Sequence, residues 1–158
     1  MTSTGCPKRP YWVGSASVLA GIAGIWKLMR VRLGQVGHFG LSVHDPEASA
    51  RWWRENFDLH EIFRFEDGVG LSNDNVTIVL HRGRPGPSVF GHMSFHLDDM
   101  DELRAALETL REHGVKLEDP GDEIGPEAED SPHLGLWFHD PDGYRWELSV
   151  QNGAKEKR

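Results

Sequence analysis

Two histidines and one glutamate stand at positions from which they could bind a metal ion together. His38 and His92 each follow a glycine at the start of a predicted strand, and Glu147 lies in the last predicted strand. Imidazole and carboxylate groups bind divalent Fe, Mn, Zn, Ni and Co, and three such ligands leave coordination positions open for a substrate. The three residues therefore predict a divalent metal site of the catalytic type.

The two strands that carry the histidines repeat one pattern. Residues 37–44 and 91–98 both begin Gly-His and then alternate apolar residues with polar or small ones. Because successive side chains point to opposite faces of a strand, the apolar residues of each copy share a face on which a helix can pack. The other face carries His38, Gly40, Ser42 and His44 in the first copy, and His92, Ser94 and His96 in the second. We interpret this polar face as the floor of a cavity.

Each repeated strand opens a longer unit with the order βαβββ. In the first unit Asp45-Pro46-Glu47 begins a helix that ends near Asn56, and strands are predicted over 59–65, 68–71 and 76–81. In the second unit a helix is predicted over 100–113, a loop over 119–132, and strands over 115–118, 134–139 and 144–150. This internal duplication predicts an α+β fold, in which two tandem βαβββ units pair their mixed sheets around a shared metal and substrate cavity.

The chain divides into one domain and two terminal segments. The domain is predicted over residues 33–151, with units over 33–84 and 88–151 joined by a linker rich in Gly and Pro. Residues 1–28 are interpreted as an extension that is flexible or an artefact of start-site choice, because Met29 could be the natural start. Residues 152–158 are interpreted as a frayed tail.

Composition narrows the classes of partner. The chain has 158 residues, of which 38% are hydrophobic, and a formal net charge of −8, which fits one globular domain. The acidic balance argues against nucleic acid, whose phosphates require clustered Lys and Arg. The apolar run over residues 13–26 is too short to span a bilayer, so no membrane partner is predicted. Because the single Cys6 allows no internal disulfide, a cytoplasmic location is expected.

Further residues of the predicted strands are candidates for contact with a small-molecule substrate. Those predicted to line the substrate cavity are Ser42, Thr77, Ser94, Trp137 and Arg145. The candidate bases are His81, His96 and His139, because imidazole gains and loses a proton near neutral pH. The acidic segment over residues 118–130 is interpreted as a solvated lid.

Three parts of the sequence resemble the vicinal oxygen chelate superfamily, which includes glyoxalase I, fosfomycin-resistance enzymes, extradiol dioxygenases and bleomycin-resistance proteins. They are the two Gly-His strand openings, Ala50-Arg51-Trp52-Trp53 with Phe57-Asp58-Leu59, and Asp140-Pro141-Asp142-Gly143-Tyr144-Arg145-Trp146-Glu147. The resemblance covers residues 33–151. It implies a divalent metal ion on His38, His92 and Glu147, bidentate chelation of a small oxygen-bearing substrate, and a homodimer.

The resemblance leaves the reaction open. Glyoxalase I takes a fourth ligand, a glutamate, from the last strand of its first unit, where this chain has Val79. Extradiol dioxygenases have a tyrosine where this chain has Trp137, and fosfomycin-resistance enzymes use a cationic cluster of which this chain shows Arg145 alone. We expect a metal-dependent enzyme. The alternative is a non-catalytic protein of the bleomycin-resistance type, since the acidic charge and the Trp residues favour sequestration of a cationic aromatic ligand.

Overall fold

A computed structural model describes residues 35–118, 123–126 and 128–153. The predicted extension over residues 1–28 and most of the predicted tail, residues 154–158, lie outside the described residues, so both interpretations stay predictions. Within the described ranges, no helix is long and apolar enough to cross a membrane.

The first unit has the predicted order of elements. They are β1 (Phe39–Val43), α1 (Pro46–Asn56), β2 (His60–Phe65), β3 (Gly68–Ser72) and β4 (Thr77–Arg82). Helix α1 begins where the sequence predicts, because the side chain of Asp45 accepts hydrogen bonds from the backbone N–H groups of Glu47 and Ala48, which satisfies donors that a helix start leaves unpaired. The strands form a sheet in the order β1-β4-β3-β2, with β1 parallel to β4.

The second unit repeats this plan with two additions. Its elements are α2 (Pro87–Phe90), β5 (Met93–His96), α3 (Met100–Glu112), β6 (Lys116–Leu117), β7 (Ile124–Pro126), β8 (Leu134–His139) and β9 (Arg145–Val150). The sheet order is β5-β9-β8-β6, β7 also pairs with β8, and β5 is parallel to β9. Helix α2 begins at Pro87, the last residue of the predicted linker, and β7 lies in the predicted loop. Strand β7 exists because Ile124 pairs with Leu136, a distant contact that a three-residue strand does not reveal in its own pattern.

The core joins the apolar faces of the two sheets. Leu41 and Val43 of β1 are buried, as the alternation predicted. Trp53 of α1 meets Trp146 of β9 edge-on, with ring centroids 4.9 Å apart, and Phe39 of β1 lies 5.8 Å from the same ring. Aromatic pairs with this spacing stabilise a core beyond the area that they bury. The two units therefore meet through the faces that their helices cover, and the polar faces lie opposite the core.

The turn between β8 and β9 also ties the two units together. The hydroxyl of Tyr144 donates to the carbonyl oxygen of Ser42 at 2.8 Å and accepts from the backbone N–H of Gly86 at 3.0 Å. Asp142 accepts hydrogen bonds from the backbone N–H and the imidazole of His44 and from the hydroxyl of Ser49. These polar contacts make the turn a clamp that holds the second unit to the first.

A buried carboxyl shapes this turn. Asp140 accepts hydrogen bonds from the backbone N–H groups of Asp142 and Tyr144 and from the indole N–H of Trp146. Burial nevertheless raises the pKa of Asp140 to about 6, because the loss of hydration outweighs these hydrogen bonds. The folded protein therefore binds a proton at Asp140 more tightly than the unfolded chain does.

Candidate metal and substrate site

The strand register gathers most of the predicted site residues on one face of the second sheet. Glu147 of β9 lies beside Ser94 of β5 and beside Trp137 of β8. Neighbours in register point to the same side of a sheet. The face therefore carries His92, Ser94, His96, Gly135, Trp137, His139, Arg145, Glu147 and Ser149, as the alternation of the sequence predicted for these strands.

The carboxylate of Glu147 lies over a glycine. Glu147 is only 3% exposed, and a Cβ atom at Gly135 would overlap its carboxylate oxygen and lie 3.1 Å from its Cδ atom. Real Cβ atoms do not approach other atoms so closely. Gly135 therefore leaves the space that this carboxylate fills, and a larger residue there would push Glu147 away.

The indole ring of Trp137 contacts both the imidazole of His92 and the guanidinium group of Arg145. The ring of His92 meets the ring of Trp137 at 4.9 Å and at 73°. The guanidinium carbon of Arg145 lies 3.8 Å above the Trp137 ring, a distance typical of a cation–π contact. The three side chains form one packed array beside Glu147.

Glu118 holds this array in place. Its two carboxylate oxygens accept hydrogen bonds from Nε and Nη2 of Arg145, at 2.7 Å and 2.9 Å. The bonds from Arg145 hold the pKa of Glu118 below its usual range and, with Glu147 adding a smaller contribution, raise the pKa of Arg145. Glu118 is therefore a structural partner of Arg145, which differs from its interpretation as the first residue of a solvated lid.

The candidate bases are held in different ways. His139 has Nε2 2.8 Å from Glu118 and Nδ1 3.3 Å from the carbonyl of Gly143. Both ring nitrogens of His139 therefore lie against oxygen atoms, which fix the orientation of the ring.

His96 and His81 each pair with a serine. Nδ1 of His96 lies 2.9 Å from the hydroxyl of Ser149, which also bonds Ser94 at 2.8 Å. Nε2 of His81 lies 3.1 Å from the hydroxyl of Ser42. Because a hydroxyl can both donate and accept, the direction of each bond depends on the tautomer of the ring. His96 shares the face of Glu147, whereas His81 belongs to the first sheet.

His38 does not join His92 and Glu147 within one chain. Among the described residues, no three His, Cys, Asp or Glu side chains come close enough to hold a metal ion together. His38 and Thr77 of the first unit instead line a cavity together with Ser94 and His96 of the second, and His92 and Glu147 are not among the residues that line it. A single chain therefore places His92 and Glu147 on the same face of the second sheet and His38 at the cavity between the units.

Three features of these faces escaped the sequence analysis. The first two are Glu118 and Gly135, which position Arg145 and Glu147. The third is a pair of exposed rings on the first sheet: Phe63 and Phe65 are 45% and 42% exposed, and they lie over Gly70 and Gly68. Two glycines facing two aromatic residues across a predicted hairpin would have been the signal for this last feature.

Two βαβββ units, each with helices on one face of a mixed sheet and polar groups on the other, define a class of α+β proteins built by internal duplication. The chain belongs to the Glyoxalase/Bleomycin resistance protein/Dioxygenase superfamily, whose sequence model matches residues 35–148. A search of curated proteins finds none that matches. The family and the fold expected from the resemblance are thus confirmed.

Solved structures show the same fold at low sequence identity. A glyoxalase/bleomycin resistance protein/dioxygenase from Nocardioides is 18% identical, with a TM-score of 0.67 over 84% of this chain and 93% of that one. The fosfomycin resistance protein FosX from Listeria monocytogenes is also 18% identical, with a TM-score of 0.63 over 75% and 94%. Lactoylglutathione lyase from Agrobacterium tumefaciens is 16% identical, with a TM-score of 0.62 over 76% and 96%.

Proposed function

We propose that the protein is a metal-dependent enzyme that acts on a small oxygen-bearing molecule through bidentate chelation to a divalent metal ion. The observation that carries the proposal is the shared face of His92 and Glu147, with the Glu147 carboxylate buried over Gly135. Carboxylate and imidazole groups on one face of a sheet are ligand types that bind a divalent cation. The solved neighbours include a fosfomycin resistance protein and a lactoylglutathione lyase, so they support a broad reaction class and no single reaction.

The third ligand in this proposal is His38 of a second copy of the chain. Support comes from the first sheet, where Phe63 and Phe65 leave much of their ring area exposed on the face that also carries His38. Burial of such rings against the polar face of another copy would remove apolar area from water. A two-fold arrangement would repeat the contact and complete two sites in one homodimer.

When bound, the metal ion would act as a Lewis acid that stabilises negative charge on substrate oxygens. The residues of the chain have their own roles in this proposal. His92 and Glu147 bind the ion, and Trp137 with Arg145 forms a wall for the substrate. Ser94 and Ser149 orient His96, the proposed general base, and Glu118 orients His139, which is a second candidate for proton transfer.

The proposal includes a cytoplasmic location, since the sequence has one cysteine and no structural disulfide is needed.

The test is the metal content of the full chain purified without chelators, measured by mass spectrometry for Fe, Mn, Zn, Ni and Co. We expect metal close to one ion per chain in the wild type and a loss of most of it in His92→Ala and Glu147→Gln. His60→Ala is the matched control, because His60 is an exposed histidine at the start of β2. Equal metal content in all four proteins would contradict the proposal, and so would a wild type without metal after reloading.

The same samples test the dimer. Sedimentation should give twice the chain mass for the wild type, and Phe63→Lys with Phe65→Lys should shift it to one chain mass with loss of metal. A metal-loaded monomer would show that His38 of a second copy is not a ligand.

A further inference from the structure

A row of basic side chains crosses the polar face of the second sheet. Lys116 of β6 lies directly opposite His139 of β8, and His139 lies directly opposite Arg145 of β9. Residues that face each other on neighbouring strands point to the same side of a sheet. The three side chains therefore stand side by side on the face that carries Glu147. The sequence presents Arg145 as an isolated cation, because Lys116 reaches this face only through the pairing of β6 with β8.

One side of the Arg145 guanidinium is already engaged. Its Nε and Nη2 atoms donate to the carboxylate of Glu118, and its central carbon lies 3.8 Å above the ring of Trp137. Among the described residues, its Nη1 atom has no hydrogen-bond partner. A guanidinium carries five N–H donors in a fixed planar fork, so Glu118 and Trp137 also fix the direction of the donors that remain. These donors suit two oxygens of a carboxylate or a phosphate.

The remaining donors can be reached from solvent, and a second cation lies near them. The side chain of Arg145 is 38% exposed, and Lys116 is exposed. Their strands are separated only by β8, which places the two backbones about 10 Å apart. The flexible stem of Lys116 can therefore bring its ammonium group to an anion that Arg145 binds. Glu118 balances one of the two positive charges, so the row attracts an anionic group and repels a cationic one.

The basic row lies at a defined distance from the proposed metal ligand Glu147. Arg145 and Glu147 are alternate residues of β9, so they share a face and their backbones are about 7 Å apart. A small molecule whose oxygens chelate an ion at Glu147 would extend its other end over the row. The geometry therefore links two groups of one substrate, the chelating oxygens and the group at the opposite end.

We propose that Lys116, His139 and Arg145 form a subsite for an oxyanion, so that the substrate carries a carboxylate or phosphate group at the end opposite its chelating oxygens. Arg145 supplies the paired donors, Lys116 adds charge, and His139 separates them. The proposal rests on the proposed function for the chelated end of the substrate. The oxyanion subsite itself is built from residues that bind no metal.

Three hydroxamates, which chelate metal ions through two oxygens, are the probes for the metal-loaded chain. Benzohydroxamate is uncharged at its far end, its para-carboxy derivative is anionic there, and its para-aminomethyl derivative is cationic. In calorimetric titration at low salt, the anionic probe should bind about tenfold more tightly than the uncharged one. The cationic probe should bind more weakly than either. Equal affinities for the three probes would overturn the proposal.

Two substitutions assign the preference to the row. Lys116→Gln should reduce the advantage of the anionic probe about threefold. Arg145→Lys keeps the charge but loses the planar fork, so it should reduce the advantage further. Neither should change the affinity for benzohydroxamate. Because Lys116 is exposed, Lys116→Gln keeps the test valid if Arg145→Lys proves unstable.

Arg104→Gln is the matched control for the loss of one positive charge. Arg104 is an exposed residue of α3 that pairs with Asp101, and it lies on the helix side of the sheet. This variant should retain the full preference for the anionic probe. A loss as large as that in Lys116→Gln would show a general effect of charge and would contradict a defined subsite.

The metal-free chain separates this proposal from the proposed function. Benzoate and inorganic phosphate should each shift the Nε–H signal of Arg145 in proton–nitrogen NMR spectra, and the tighter of the two identifies the preferred oxyanion. If the chain binds no metal but these anions shift the signal, the proposed function fails and the subsite stands. If the chain binds no metal and the signal does not move, both fail. If the metal-loaded chain binds benzohydroxamate but shows no preference for the anionic probe, the subsite alone fails.

Discussion

The polar faces of the two sheets can be compared position by position, because their strand registers correspond. Val79 of the first sheet has a glycine on both neighbouring strands, whereas Glu147 of the second has Ser94 and Trp137. The two positions are equivalent in the repeat. One copy of the unit thus has a valine between two glycines where the other has a carboxylate between a serine and an indole.

The glycines at the edge of each face show the same difference. Gly68 and Gly135 occupy equivalent positions beside His81 and Ser149. The space over Gly68 is filled by the ring of Phe65, and the space over Gly135 is filled by the carboxylate of Glu147. The duplicated backbone therefore provides the same recess twice, filled by an aromatic ring in the first sheet and by a carboxylate in the second.

The largest expected effect concerns the turns that follow β3 and β8. In the first sheet the exposed turn is organised by Asn73, whose amide oxygen accepts from the backbone N–H groups of Asn75 and Val76. In the second sheet the carboxyl of the buried Asp140 accepts the corresponding hydrogen bonds from the backbone N–H groups of Asp142 and Tyr144. A pKa of about 6 against an ordinary value of 3.8 corresponds to about 3 kcal/mol at about 1.4 kcal/mol per pKa unit.

This difference predicts a pH dependence of the free energy of unfolding. The contribution of Asp140 is fully present below pH 3.8 and is lost as the pH rises through about 6, because the folded state binds the proton more tightly. Asp140→Asn should remove this part of the dependence between pH 4 and pH 7 in urea unfolding. Asn73→Asp is the control and should change it little. Parallel curves for wild type and Asp140→Asn would contradict the raised pKa.

The second prediction sharpens the comparison of the two glycines. Gly135→Ala should weaken metal binding about tenfold, since displacement of a group that positions a ligand typically has an effect of that order. Gly68→Ala should change the metal affinity of the isolated chain less than Gly135→Ala does. It should lower the stability of the chain, because the new Cβ would meet Phe65 and the backbone of Leu80. Gly125→Ala, which meets nothing within 4 Å, controls for the loss of a glycine. Equal metal affinity in all three variants would refute the role of Gly135.

The smallest expected effect concerns a serine–histidine hydrogen bond that occurs in both sheets, with the two residue types on opposite strands. In the first sheet Ser42 of β1 bonds His81 of β4, and in the second His96 of β5 bonds Ser149 of β9. Ser42→Ala and Ser149→Ala should each lower the free energy of unfolding by about 0.5–1.5 kcal/mol. Guanidinium unfolding of both variants measures this. A clearly larger loss for Ser149→Ala would mean that the bond to Ser94 adds to it.

The sequence could predict these faces because a strand has a period of two and one side of each sheet must be buried. That rule identified Glu147, Trp137 and Arg145 as neighbours before any contact was known. It could not identify Glu118 as the partner of Arg145, because the two residues meet only after distant parts of the chain have folded. Nor could it find β7, whose three residues gain their pairing from β8.

The position of His38 relative to His92 and Glu147 could not be predicted for the same physical reason. Alternation assigns a residue to a face of its own sheet, but it says nothing about which faces of two sheets meet. The aromatic contacts of Trp53, Phe39 and Trp146 decide that question here, and they join the helix sides. The alternation therefore could not predict that His38 would line a cavity that excludes His92 and Glu147.

The clamp between the turn and the first unit has a consequence for assembly. To exchange units with another copy, a chain would have to break the hydrogen bonds of Tyr144 with Ser42 and of Asp142 with His44 and Ser49. Each copy would therefore enter any larger complex with its own two units already packed together. Recognition between copies is then a matter of matching outer surfaces, and it can be adjusted by surface substitutions without refolding either unit.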